Sequence, residues 1–237
     1  DEDIAHVVVK AYANANLNPL AHMRAVQVDL ATAAAPSDAN PLFLKNEALN
    51  AHLKMLDCSQ VSDGAAAALL ASEEGLAKLG LRPADCVEVT GYGQSTAALG
   101  QVTDYTAMTN TRRAIEEAYA SAGITERDVE VVELHDCFSI TEVLMIEALG
   151  LAEPGRGADL AKGGRSHIGG AVPINTGGGL IAFGHPVGAT GIKQVIEVCR
   201  QIRGECGAYQ IPETPRVGVA ANMGGDDRSA AVFVLRG

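Results

Sequence analysis

From residue 86 onward the apolar residues switch repeatedly between alternation and helical spacing, and that rhythm restricts the chain to folds that layer helices on a sheet. Cys86-Val87-Glu88-Val89-Thr90 alternates like a strand, and Thr111 to Ala122 carries an amphipathic helical pattern stopped by Gly123. Val129 to Leu134 predicts a second strand. Beyond His135-Asp136-Cys137-Phe138, the run Ser139-Ile140-Thr141-Glu142 reads as a capping box that opens a helix to about Leu149. A helix from about Ile192 to Arg203, ended by Gly204, comes next. Val217 to Ala220 and Ala230 to Leu235 then read as strands joined by a tight turn, Asn222-Met223-Gly224-Gly225-Asp226. The fold class is α/β.

The upstream part has a different texture. Ile4, Val7, Val8, Ala11 and Ala15 predict a helix from Asp3 to about Asn16, stopped by Asn18-Pro19. Residues 25–50 read as loop with short helices, and a boundary falls near residue 56. Ala65 to Ser72 is an apolar run of strand length, followed by a short helix from Glu73 to Leu79 ended by Gly80.

Over 237 residues, 47% hydrophobic and 20% charged content allows a substantial core and excludes global disorder or coiled coil. A formal charge of −11 repels phosphate backbones and anionic membrane surfaces, so nucleic acid is not an expected partner. No apolar run approaches the roughly 20 residues of a membrane span. The five cysteines, Cys58, Cys86, Cys137, Cys199 and Cys206, form no CxxC pair and suit a reducing, intracellular setting. The acidic Asp1-Glu2-Asp3 start, without Met, suggests a true start further upstream.

Several common signatures are missing. Gly91-Tyr92-Gly93-Gln94-Ser95-Thr96 lacks the third glycine of a dinucleotide fingerprint, and GxxxxGK[ST], HExxH and GxSxG do not occur. Two positive signals remain. At a strand end, residues two apart point to one side, so His135 and Cys137 are expected to face one cavity beyond the sheet. The bland alternative is a buried Cys acting as a small hydrophobe beside a His satisfied by backbone. The second signal is Asn175 to Gly191, NTGGGLIAFGHPVGATG, where glycines bring backbone close to a ligand and Pro186 stiffens the residue after His185. A rigidly held histidine suits a general base or an oxyanion donor.

These segments resemble the thiolases. GGGLIAFGHPVGATG is similar to their Gly-His-Pro loop, and HDCF to the second catalytic motif of the sterol-carrier-protein type. The run from Leu56 to Ala67, LDCSQVSDGAAA, resembles the family's entry into the last segment of its N-terminal domain, where the serine matching Ser59 lies beside the pantetheine of coenzyme A. Asn222 stands where many thiolases carry the Cys of a Cys-x-Gly motif, a departure shared by the sterol-carrier-protein type.

The resemblance implies a layered α/β/α fold with the C-terminal half complete and the N-terminal half mostly missing. Residues 1–57 would be a remnant of a loop domain, 58–84 the last strand-helix segment of the N-terminal domain, and 85–237 the C-terminal domain. It implies acyl transfer between coenzyme A thioesters. His185 would activate the nucleophile and donate to an enolate oxygen, with His135 as second donor. Cys137 would move the proton at the acetyl α-carbon, its thiol tuned by the nearby histidines, and the Gly224 N–H would help hold an oxyanion. Ser59 would border coenzyme A, which with acyl-CoA is a substrate, with no tightly bound cofactor and no metal. The nucleophilic Cys would lie in the N-terminal half, a partner of this chain, and the chain alone would be inactive.

A homodimer or tetramer is implied, in the cytoplasm or a mitochondrion, since the end Leu235-Arg236-Gly237 is not a peroxisomal signal. Two alternatives stand beside this reading: a steroid side-chain aldolase on the same scaffold, and a non-catalytic acyl-CoA-binding subunit.

Overall fold

The computed structural model describes residues 2–44, 52–98, 100, 104 and 106–237. Asp1 and the last part of the 25–50 loop reading lie outside the described residues. Four strands, β1 (Glu88–Thr96), β2 (Val131–Leu134), β3 (Val217–Gly224) and β4 (Ser229–Arg236), form one sheet in the order β1-β4-β3-β2. β2 runs parallel to β3, and the other pairs are antiparallel.

The helices are α1 (Glu2–Leu17), α2 (Leu30–Ala34), α3 (Glu73–Leu79), α4 (Thr109–Ala122), α5 (Ser139–Ala148), α6 (Ala158–Lys162) and α7 (Thr190–Ile202). The period-2 pattern of the strands sorts their side chains between two helical layers. Val132, Leu134, Val217, Val219, Ala221, Val232 and Val234 pack with Ala114 and Ile115 of α4 and with Met145 and Ile146 of α5. On the opposite face Val131, Ala220 and Leu235 meet Val198 and Ile202 of α7. This is the α/β/α layering expected.

A third cluster joins α1 to that frame. Its stripe of Ala5, Val7, Val8, Ala11, Tyr12 and Ala15 is fully buried against Val143 of α5, Ala161 of α6, and Ile181 and Ala182 of the glycine-rich loop. The helical spacing read from the sequence therefore reports a real buried face.

Three local expectations are overturned. Residues 65–72 pair with no strand among the described residues, and Leu69 and Leu70 are 85% and 81% exposed. An apolar run of strand length becomes a strand only where a sheet edge receives it, and none does here. The Ser139/Glu142 capping box does not form, because both side chains have distant partners. Ser139 Oγ donates to Asp57 Oδ1 at 2.8 Å, and Glu142 is ion-paired with the buried Lys10. The turn near residue 222 is later than expected, since β3 continues through Asn222 to Gly224 and the reversal occupies residues 225–228.

The Gly91-to-Thr96 segment is the body of β1. A Cβ on Gly93 would lie 1.9 Å from the Ala114 carbonyl oxygen, so the glycine lets α4 sit directly on the strand. At the N-terminus of α4 the buried carboxylate of Asp227 accepts from the Asn110 N–H (2.9 Å), the Thr111 N–H (2.8 Å) and the Thr111 hydroxyl (2.7 Å). That cap ties the helix to the β3–β4 reversal.

Candidate functional site

β2 ends at Leu134, which is paired with Ala221 of β3, so His135 leaves the sheet level with Asn222. The Asn222 amide Nδ2 lies 3.0 Å from His135 Nδ1 and 2.7 Å from Gln194 Oε1 of α7. His135 is 7% exposed. Burial and, second, the neighbouring His185 push its pKa down to about 4, so the ring is neutral near pH 7. Its Nε2 has no hydrogen-bond partner among the described residues.

The facing histidine comes from the glycine-rich loop. This loop is held from several sides, as buried backbone polar groups require. Asn175, at φ 53°, accepts the Leu134 N–H on its side-chain oxygen at 2.9 Å. Asn18 donates to the Gly177 carbonyl at 3.1 Å, and the Leu180 N–H donates to Asp136 Oδ1 at 2.7 Å. Residues Gly179–Phe183 form a π-helical turn whose last carbonyls accept from the His22 and Met23 N–H groups. Gly179 is obligatory there. Its φ is 60°, and a Cβ would fall 2.1 Å from Asp136 Oδ2.

The result of this anchoring is that His185 meets His135 edge to face, with ring centroids 5.1 Å apart and planes at 87°. The His185 N–H donates to the Gln60 carbonyl at 3.0 Å, and its Nδ1 lies 2.6 Å from Thr190 Oγ1. Burial lowers the pKa of this half-buried imidazole as well.

Cys137 sits on the same corner, but not for the reason its spacing suggested. Strand alternation stops at Leu134, and Cys137 packs against the cluster under α4 and α5 while His135 engages Asn222 on the α7 side. Its Sγ lies 3.6 Å from Thr141 Oγ1. Burial pushes the thiol up, and Asp136 adds to this while the Thr141 contact opposes it, so the group is a thiol near neutrality. Neither histidine is among the groups that shift the Cys137 thiol.

Ser59 is carried to this corner, where its N–H donates to the Cys137 carbonyl at 2.9 Å. Gly224 ends β3 two residues beyond Asn222 and opposite Ser229. Beside the loop lies a cavity of about 780 Å³, bordered by Val61, Gly64, Phe183, Pro186, Lys193 and Arg200. Lys193 Nζ is held 3.1 Å from Glu133 Oε2 and 4.3 Å above the Phe183 ring. Ser59 does not border that cavity.

Gln194 and Thr190 went unnoticed in the sequence, and Asn222 stood out only as a departure from a motif, with no role attached. Thr190 had a signal, its position five residues after His185 at the start of a helix. Among the described residues no helix is long and apolar enough to cross a membrane.

Residues 91–237, which include both histidines, match the family model described as Thiolase C-terminal domain-like. Acetyl-CoA acetyltransferase of Methanothermobacter thermautotrophicus is 40% identical over 183 residues, covering 77% of this chain and 47% of that protein. Sterol carrier protein 2 of Homo sapiens is 41% identical over 177 residues, covering 73% of this chain and 32% of that protein. The chain thus spans half or less of the length of these curated relatives. Among solved structures, the Ltp2-ChsH2(DUF35) aldolase superposes with a TM-score of 0.75 at 20% identity, over 99% of this chain and 58% of that one, a likeness of fold. The HDCF corner and the Gly-His-Pro loop therefore meet inside a matched segment of known type, and the chain belongs to the thiolase family.

Proposed function

We propose that this chain supplies the acid/base and oxyanion-binding groups of an acyl transfer between coenzyme A thioesters, with the nucleophilic Cys provided by an N-terminal thiolase half. The observation that carries this reading is the edge-to-face meeting of His135 and His185 at 5.1 Å, delivered by two separate motifs. Such a reaction needs a base for the nucleophile, a proton carrier at the α-carbon and donors for two developing oxyanions.

His185 takes the first role. The Thr190 hydroxyl donates to the Pro186 carbonyl at 3.1 Å and accepts from His185 Nδ1–H, which leaves Nε2 bare to take a proton from a thiol. His135 and the Gly224 N–H serve as oxyanion donors. Cys137, kept protonated by burial, hands its proton to the α-carbon and recovers it in the reverse direction. Coenzyme A enters through the 780 Å³ cavity, where Phe183 and Val61 offer apolar contact and Arg200 a cation, and its pantetheine reaches toward Ser59.

In the proposed division of labour the isolated chain forms no acyl-enzyme. Incubation with acetoacetyl-CoA and coenzyme A, followed by intact-mass analysis, is expected to show no adduct and no turnover. A stable acetyl group on Cys137 would make that residue the nucleophile and overturn the assignment. The aldolase reading predicts release of an aldehyde or ketone from a steroid thioester with no free coenzyme A consumed, which the same incubation with that substrate would reveal.

A further inference from the structure

The geometry points to Asn222 as the positioning residue that fixes the tautomer of His135, holding its single proton on Nε2, where an oxyanion donor needs it. The inference rests on the acyl-transfer reading for its purpose, but its structural content stands apart from that reading.

A neutral imidazole has one donor and one acceptor nitrogen, and the partner of one nitrogen decides where the proton resides. His135 Nδ1 faces the Asn222 amide at 3.0 Å, and the same amide nitrogen reaches Gln194 Oε1 at 2.7 Å. A primary amide has two hydrogens, one for each acceptor. With both in use, Nδ1 must be bare and Nε2 must carry the proton. Gln194 is wholly buried in α7, and the partly buried Asn222 amide is held between Gln194 and His135. The ring itself is anchored by the pairing of Leu134 with Ala221 immediately before it.

The opposite arrangement is chemically definite. With both amides turned over, Asn222 Oδ1 would accept from Gln194 and from His135 Nδ1–H, and a bare Nε2 would face the site. That state offers a lone pair where an oxyanion donor needs a proton. A cysteine at position 222, as in many thiolases, has no pair of amide hydrogens with which to impose either state.

The test is nitrogen–proton correlation NMR of the 237-residue chain labelled at histidine, with the His135 resonances assigned by their loss in His135→Gln. The expected spectrum shows protonated Nε2 and bare Nδ1 for His135. In Asn222→Asp the carboxylate can only accept, so the proton is expected to move to Nδ1. Protonated Nδ1 in the parent chain would overturn the inference, and so would a folded Asn222→Asp variant with the parent tautomer. If that variant does not fold, the parent spectrum alone decides. In an active full-length assembly, Asn222→Asp is expected to lower kcat by about 10²-fold with KM changed far less, the pattern of a contact made chiefly in the transition state. A correct tautomer in an assembly inactive on thioesters would count against the acyl-transfer reading and leave the tautomer assignment intact.

Discussion

His135 and His185 stand edge to face with 5.1 Å between ring centroids, although one is fixed by the end of a sheet strand and the other by a loop packed against α1. Two neutral imidazoles at this distance are compatible, whereas two cations would repel. The depressed pKa of each ring follows from burial, and that of His135 also from its neighbour.

His135 has a pKa of about 4 in the folded chain against 6.5 for the free side chain, so between these values the unfolded chain binds the proton and the folded chain does not. Stability from this group is complete above about pH 6.5 and is lost as pH falls toward 4, a change of about 3 kcal/mol. Buried Glu133, Asp136 and Glu142, whose pKa values are raised, contribute with the opposite sign. The difference between the parent chain and His135→Gln isolates the histidine. Urea unfolding across this range is expected to show that difference rising with pH, and a flat difference would contradict it.

Gly179→Ala is expected to destabilise the chain by about 2 to 5 kcal/mol, combining overpacking against the Asp136 carboxylate with the cost of a left-handed backbone. Chemical denaturation measures this. A change below about 0.5 kcal/mol, the level of an ordinary surface substitution, would show that the π-helical turn is not held as described.

Lys10 and Glu142 form a fully buried ion pair between α1 and α5. Lys10→Met strands the carboxylate and is expected to cost about 3 to 5 kcal/mol, whereas Lys10→Met with Glu142→Leu recovers most of that loss. A double-mutant cycle by urea unfolding checks both statements.

Much of the fold was legible because the apolar period belongs to the local chain. The buried stripe of α1, the alternation in β3 and the amphipathic α4 all announce themselves that way. What was illegible depended on partners far off in sequence. Ser139 and Glu142 look like a local cap, but their partners lie 82 and 132 residues away, on Asp57 and Lys10. Residues 65–72 look like a strand, yet pairing needs an edge that no local pattern specifies. The motifs pointed to His135 and His185, which the fold sets edge to face, and to Cys137, Ser59 and Gly224, whose roles belong to the proposed function. Asn222 was seen only as a departure from a motif, because its partner imidazole is 87 residues away.

Cys137 alkylation offers another check. Burial raises its pKa, so iodoacetamide labelling is expected to be slow at pH 7 and to climb about tenfold per pH unit through the ordinary thiol range. Thr141→Val removes the contact that opposes this rise and is expected to slow labelling further. Rapid, pH-independent labelling at pH 7 would show a thiolate and contradict the assigned acid role.

Under the proposed function the N-terminal half holds the nucleophile, and the acid, base and oxyanion groups belong to this chain. The most direct measurement joins it to the N-terminal portion of the 40%-identical acetyl-CoA acetyltransferase and follows thiolysis of acetoacetyl-CoA. The joined protein is expected to turn over, to carry an acetyl group on a cysteine of the added portion, and to lose about 10²-fold or more in rate in either His185→Ala or Cys137→Ala. Undiminished thiolysis in both variants, or equal turnover by the 237-residue chain alone, would contradict the proposed function.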